Sequence, residues 1–186
     1  MKARHITTNG TWRNVADCAN ITIGRDQGTR EPSSNWKMRI LLAEHSPIRS
    51  LWLNIILSDI KYWASVHLTR HKIGVEHFVT TQREDRTGSP RDDAPQSARV
   101  NHRIMANAQA MINISRKRLC YNAAQETREA WEAAVESIKV NEPELYCACV
   151  PDCVYRGHCF EMQTCGYYKS DGYKLARKEY VIRSGR

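Results

Sequence analysis

The sequence predicts a single α+β domain. Three observations point there. The chain has 186 residues with 41% hydrophobic content, enough for one ordinary core. One segment, Arg49 to Leu57, alternates with a period of two, as a half-buried strand does. Several other segments repeat at helical spacing.

In chain order, residues 1 to about 35 read as an irregular segment, punctuated by Gly10, Gly24, Gly28 and Pro32. A short helix is expected from Ser34, as N-cap, to about Glu44. His45-Ser46-Pro47 breaks it, because proline disfavours helix in the residue before it. In the next segment Leu51, Leu53, Ile55 and Leu57 form one face of the expected strand. Tyr62 to His71 then reads as helix. Residues 72 to 99 are rich in charge, glycine and proline and read as a long ordered or semi-ordered loop, which inside a compact domain is usually functional or disordered. Val100 to Tyr121 reads as one helix on Ile104, Ala108, Met111, Ile112 and Ser115. Glu126 to Lys139 reads as another, packing through Ala130, Ala133, Ala134, Val135 and Ile138, with Pro143 as its stop. The core region is thus 36–146, followed by a Cys-rich segment at 147–168 and a basic tail at 169–186.

No run of eighteen apolar residues occurs, so no membrane-spanning helix is expected. The first residues lack the apolar stretch of a secretory signal, which predicts a cytoplasmic location. The net charge of +8 fits either a solvated basic surface or a phosphate-bearing partner. The basic residues are spread along the chain, with no dense arm of the kind that grips nucleic acid.

Two segments carry chemistry. In the first, His67-Leu68-Thr69-Arg70-His71-Lys72 places cations and imidazoles at the end of an expected helix. His77, Thr80, Thr81 and Arg83 follow. Guanidinium forks match phosphate oxygens in pairs, and hydroxyls add neutral donors. The segment therefore has the parts of a nucleotide-phosphate site, although cations also favour a helix C-terminus for its dipole alone. In the second, five of the seven cysteines lie between Cys147 and Cys165. An odd number crowded into one segment favours a metal knot over a disulfide framework. Cys149, Cys153, Cys159 and Cys165 are the expected tetrahedral ligands for zinc, with His158 as a spare; an iron–sulfur cluster on the same thiolates, or reduced and partly buried thiols with no metal, are the alternatives.

The first segment resembles the flavin-dependent thymidylate synthases. That family carries Arg-His-Arg, seven residues and then Ser, with Arg two residues later. Arg70-His71-Lys72 resembles the triplet, and either Thr80 or Thr81, with Arg83, resembles the Ser and trailing Arg. His45-Ser46-Pro47 resembles the family's upstream turn, and Val150-Pro151-Asp152-Cys153-Val154-Tyr155 its downstream Leu-Pro segment. The likeness spans roughly residues 36 to 156.

The resemblance implies a central antiparallel or mixed sheet with helices, a homotetramer, and FAD lying at subunit contacts with dUMP on its ring. It implies a one-carbon transfer from methylenetetrahydrofolate to C5 of dUMP with NADPH as reductant and no cysteine nucleophile. By position, His45, Arg70, His71, Lys72 and His77 would face FAD, and His67, Thr80, Thr81 and Arg83 would face dUMP. The sequence departs from the family pattern at Lys72 (Arg in the family), at His77-Phe78 (Asn-Glu), at Arg49 (often Glu) and at Cys147 (Arg). The family's C-terminal Arg has only Arg177 as a counterpart. Two other readings stand beside this one: a zinc-stabilised nucleic-acid-binding module, and a nucleotide-binding relative without catalysis.

Overall fold

A computed structural model describes residues 1–183. The last three residues of the expected basic tail lie outside them. Four antiparallel strands form one sheet in the order β1-β2-β4-β3: β1 Lys2–Asn9, β2 Trp52–Lys61, β3 Val75–Val79 and β4 Arg99–Asn107. Leu53, Ile55 and Leu57 of β2 and Val100, His102, Ile104 and Ala106 of β4 are buried on one face. This is the period of two that a sheet with one covered face requires. Asp59 has a left-handed φ of 60°, and the pairing slips between Leu57 and Ile60. The bulge inserts one residue and returns Ile60 to the core, so β2 runs on past the expected end at Leu57.

The helices are α1 Trp12–Thr22, α2 Ser34–Ala43, α3 Tyr62–Thr69, α4 Glu84–Thr87, α5 Ala108–Arg118, α6 Gln125–Ser137, α7 Pro143–Ala148, α8 Asp152–Arg156 and α9 Asp171–Arg183. Helix α6 packs on β1, β2, α3 and α5. Its Trp131 is fully buried, and the indole N–H donates to Ser115 Oγ at 2.9 Å.

Several sequence expectations change. The N-terminal segment is regular: β1 pairs with β2, and α1 follows it behind a Thr11 cap. Low apolar content hid β1 because it is an edge strand with few buried side chains. Helix α2 is capped by Ser33, whose Oγ accepts from Trp36 N, and not by Ser34. The expected loop over 72–99 contains β3 and the short α4. The expected helix over Val100–Tyr121 is half strand, since β4 occupies its first part and α5 starts only at Ala108. The tail is largely the helix α9. Two breaks also move. Pro47 opens a 3-10 turn over Ser46–Ser50, which delays β2 to Trp52. Pro143 stands at the first turn of α7, where its missing N–H costs nothing, instead of ending α6. Among the described residues no helix is long and apolar enough to cross a membrane.

Candidate functional site

The basic motif sits where α3 ends and β3 begins. Arg70 is the C-cap of α3. Beyond it, Gly74 turns the chain with φ +70°. The turn lies against the start of α5: Asn107 N donates to Gly74 O at 2.9 Å, and Asn107 Oδ1 caps α5 by accepting from Ala110 N at 2.9 Å. Sheet and helix therefore fix the motif from both sides.

Around this turn the imidazoles form a chain. Arg118, in the last turn of α5, donates from Nε to His71 Nε2 at 2.9 Å and from Nη2 to the His67 carbonyl at 2.7 Å. An imidazole nitrogen that accepts carries no proton, so the ring proton of His71 is on Nδ1. His77 Nε2 donates to the His71 carbonyl at 2.8 Å, which leaves His77 Nδ1 to accept from His102 Nε2 at 2.9 Å. His102 is fully buried, and its Nδ1 has no partner among the described residues. His67 Nδ1 meets the buried Thr127 hydroxyl at 3.0 Å.

These contacts set the titration. Burial, then the Arg118 charge and then His77, push His71 down from 6.5 to about 4. Burial, then His77, push His102 down to about 4 as well. His67 is lowered by burial and by the Arg118 and Arg70 charges. Arg118 itself is lowered, by burial and by the neighbouring Arg70 charge. Two guanidiniums thus stand close together, and among the described residues no carboxylate pairs with either. Lys72 is exposed beside them. A cluster of like charges without counter-charge is stabilised by an anion, and its forked donors suit phosphate oxygens.

The structure brings together His67, Arg70, His71, Lys72 and His77, and adds Arg118, Thr127 and His102. The other expected contacts are engaged elsewhere. Thr80 Oγ1 donates to Asn101 O at 3.2 Å and accepts from Asn101 N at 3.1 Å, closing the β3–β4 ladder. Thr81 Oγ1 accepts from Arg83 N at 3.1 Å. Arg83 makes a two-pronged bond to Asp85, 2.9 Å at each contact. His45 is exposed in the turn before the 3-10 helix. Arg177 donates to the Val154 and Tyr155 carbonyls and so ties α9 to α8. From sequence, Arg116-Lys117-Arg118 reads as a solvated helix face that could reach a ligand only on a neighbouring copy in an oligomer, so Arg118 is not expected beside His71 in its own chain. Sequence reasoning misses His102 because β4 reads as helix, although Val100, His102 and Ile104 alternate.

The Cys-rich segment differs from its expected form. Cys149 is buried beside Ser115 beneath α5, and burial pushes its thiol up to about 12. It stands apart from Cys153, Cys159 and Cys165, which instead surround a small cavity with Cys120. Among the described residues no group of three or more His, Cys, Asp or Glu side chains is arranged to hold a metal ion, so the expected ligand set does not form.

No protein-family model matches the chain, and no curated protein matches its sequence. Solved structures do match. Flavin-dependent thymidylate synthase ThyX from Helicobacter pylori, complexed with FAD and dUMP, superposes with a TM-score of 0.67 at 12% identity, covering 81% of this chain and 100% of that one. A second structure of that enzyme with FAD and dUMP gives 0.66 at 13% identity, covering 81% and 99%. A UMP/dUMP methylase, PolB from Streptomyces cacaoi bound with 5-Br dUMP, gives 0.64 at 11% identity, covering 79% and 93%. At these identities the likeness is one of fold, and the chain has the α+β fold of the flavin-dependent thymidylate synthases.

Proposed function

We propose that the chain is a flavoenzyme acting on dUMP, which transfers a one-carbon unit from methylenetetrahydrofolate to C5 of the pyrimidine, with NADPH as reductant. The observation that carries this reading is the Arg70–Arg118 pair. Two guanidiniums without a carboxylate partner converge on the α3–β3 turn of a fold whose solved neighbours hold FAD and dUMP. Their forked donors fit the phosphates of a ligand such as FAD or dUMP.

In this reading Arg70, Lys72 and Arg118 hold phosphate, and His71 stays neutral so that its Nδ1–H remains a donor. His67 faces the nucleotide, with Thr127 fixing its ring. Bound flavin would supply the redox chemistry. Thr80 or Thr81 and Arg83 would hold the dUMP phosphate, with Arg83 exchanging Asp85 for it. His45 and His77 border the flavin, His77 through its orienting bond to the His71 carbonyl. The motif is open on one protomer, and Val66, Ile73 and Phe78 expose apolar surface beside it. This supports a homotetramer in which neighbouring copies cover the flavin.

A second reading, a nucleotide-binding relative without turnover, is favoured by Phe78 and Cys147 standing where the family has polar or cationic side chains, and by Arg83 being held by Asp85. An absorption spectrum and a dUMP titration test both. Oxidised-flavin bands, dUMP binding and release of the C5 hydrogen are expected from the wild-type chain. Hydrogen bonds to charged groups contribute about 1.5–3 kcal/mol, so Arg118→Ala should weaken flavin or dUMP binding about ten- to a hundredfold. Binding without hydrogen release selects the second reading. A chain that takes up neither FAD nor dUMP overturns both.

A further inference from the structure

Cys120 stands apart from the other cysteines in the sequence, because it follows α5 and lies 33 residues before Cys153. The fold reunites them. Cys120, Cys153, Cys159 and Cys165 line one cavity of about 10 Å³, together with Asp152, Glu161 and aromatic rings. That is roughly the space of one water molecule or one metal ion. The four thiols come from three places: the turn after α5, helix α8, and the irregular stretch between α8 and α9.

Independent contacts hold that stretch against the Cys120 turn. Lys117 pairs with Glu161 at 3.2 Å, Asn122 Nδ2 donates to Gln163 O at 2.6 Å, and the Tyr121 and Tyr167 rings stack at 4.6 Å. The stretch has little core of its own. Phe160 is 58% exposed and Met162 fully so. Its only regular structure is a 3-10 turn at Tyr167–Lys169. A short segment without a core typically needs a staple.

We propose that Cys120, Cys153, Cys159 and Cys165 are a four-thiolate site for zinc, which fastens the segment between α8 and α9 to the end of α5. In sites with no open position, zinc favours tetrahedral coordination, and four cysteine thiolates are one of its common ligand sets. The four thiols line one cavity but, among the described residues, are not arranged as a ready metal-ligand set, so zinc would have to draw them together. Binding and final closure are then one step, as is usual where a preformed site is absent without the metal. Burial, then the neighbouring Cys120 thiol, push Cys153 up to about 11, and burial, partly offset by a backbone bond from Asn122 and reinforced by Cys165, raises Cys120. Each ligating thiol loses its proton as its Zn–S bond forms, so uptake of zinc releases protons to solvent. No electrons are exchanged, and the site is separate from the flavin reading.

The test uses the full chain, reduced and free of chelator. Elemental analysis should find one zinc per chain, and cobalt(II) put in its place should give the intense sulfur-to-cobalt absorption of a tetrahedral thiolate site. Cys120→Ser should weaken zinc binding at least tenfold. Cys165→Ser, on an exposed loop, should do the same where Cys120→Ser fails to fold. Cys149→Ser should keep full stoichiometry. The proposal is overturned by a reduced chain that binds no zinc, by iron in place of zinc, by four thiols found joined as disulfides, or by Cys120→Ser and Cys165→Ser variants that bind zinc as the wild type does.

Discussion

Arg118 binds an imidazole and a helix-end carbonyl at once, and this makes the protonation of His71 a structural matter. A proton on His71 Nε2 would remove the acceptor and set a cation against Arg118. His102 faces a similar cost from burial. Both rings titrate near 6.5 when unfolded and near 4 when folded, so the unfolded chain takes up protons first. Stability is full above about pH 6.5 and is lost progressively as pH falls toward about 4. Thermal melting followed across that window should show the loss. His102→Gln, which cannot take up a proton, should lessen it, leaving the share that belongs to His71. A midpoint independent of pH there would contradict the assignment. Carboxylates held low by partners act lower. Burial raises Glu44, but bonds from Arg116 and Gln109 outweigh it and bring it below its usual 4.5, so its share of the loss belongs at the acid end. Trp131, fully buried and bonded to Ser115, is the largest fully buried side chain of the core. Trp131→Ala should cost about 3–5 kcal/mol in chemical denaturation.

Among the elements, the turn at Gly74 governs the motif. A Cβ there would lie 2.5 Å from Asn107 Nδ2, in a backbone region that L side chains rarely adopt. Gly74→Ala should therefore destabilise the chain by about 1–3 kcal/mol and weaken the α5 cap, read as a lower melting temperature together with weaker nucleotide binding. The contrast with other elements shows what the sequence could disclose. Helix α6 was legible because its apolar stripe is long and uninterrupted. Strand β2 was legible because one strict alternation ran through it. The β4–α5 boundary was not, because Ile104 and Ala108 satisfy both periods across the junction and no glycine or proline marks the change. In the site, Arg70, His71 and Lys72 stood out as a local run. Arg118 is 48 residues from Arg70 and meets it only because α5 returns along the sheet. Cys120 joins the other thiols by the same return.

The whole molecule is organised around β2, which β1 and β4 flank and which α6 covers. The sheet's second edge, β3, carries the motif and exposes Phe78, and Ile73 at 91% exposure stands just before it. If copies of the chain meet there, light scattering should give a mass of four chains. Ile73→Glu, a charge placed on an exposed and unstrained site, should shift that mass downward and lower flavin uptake while the monomer melts as before. A wild-type chain that scatters as a monomer would remove the tetramer from the reading. A bond of much longer reach lies elsewhere. The Trp12 indole donates to the buried Glu142 at 2.8 Å across 130 residues of chain. Contacts between such distant residues are entropically slow to form, because the intervening chain must first be gathered in. Protection of this one indole N–H from hydrogen exchange is therefore a clock for the last stage of folding: it should settle only after the helical signal has reached its native value.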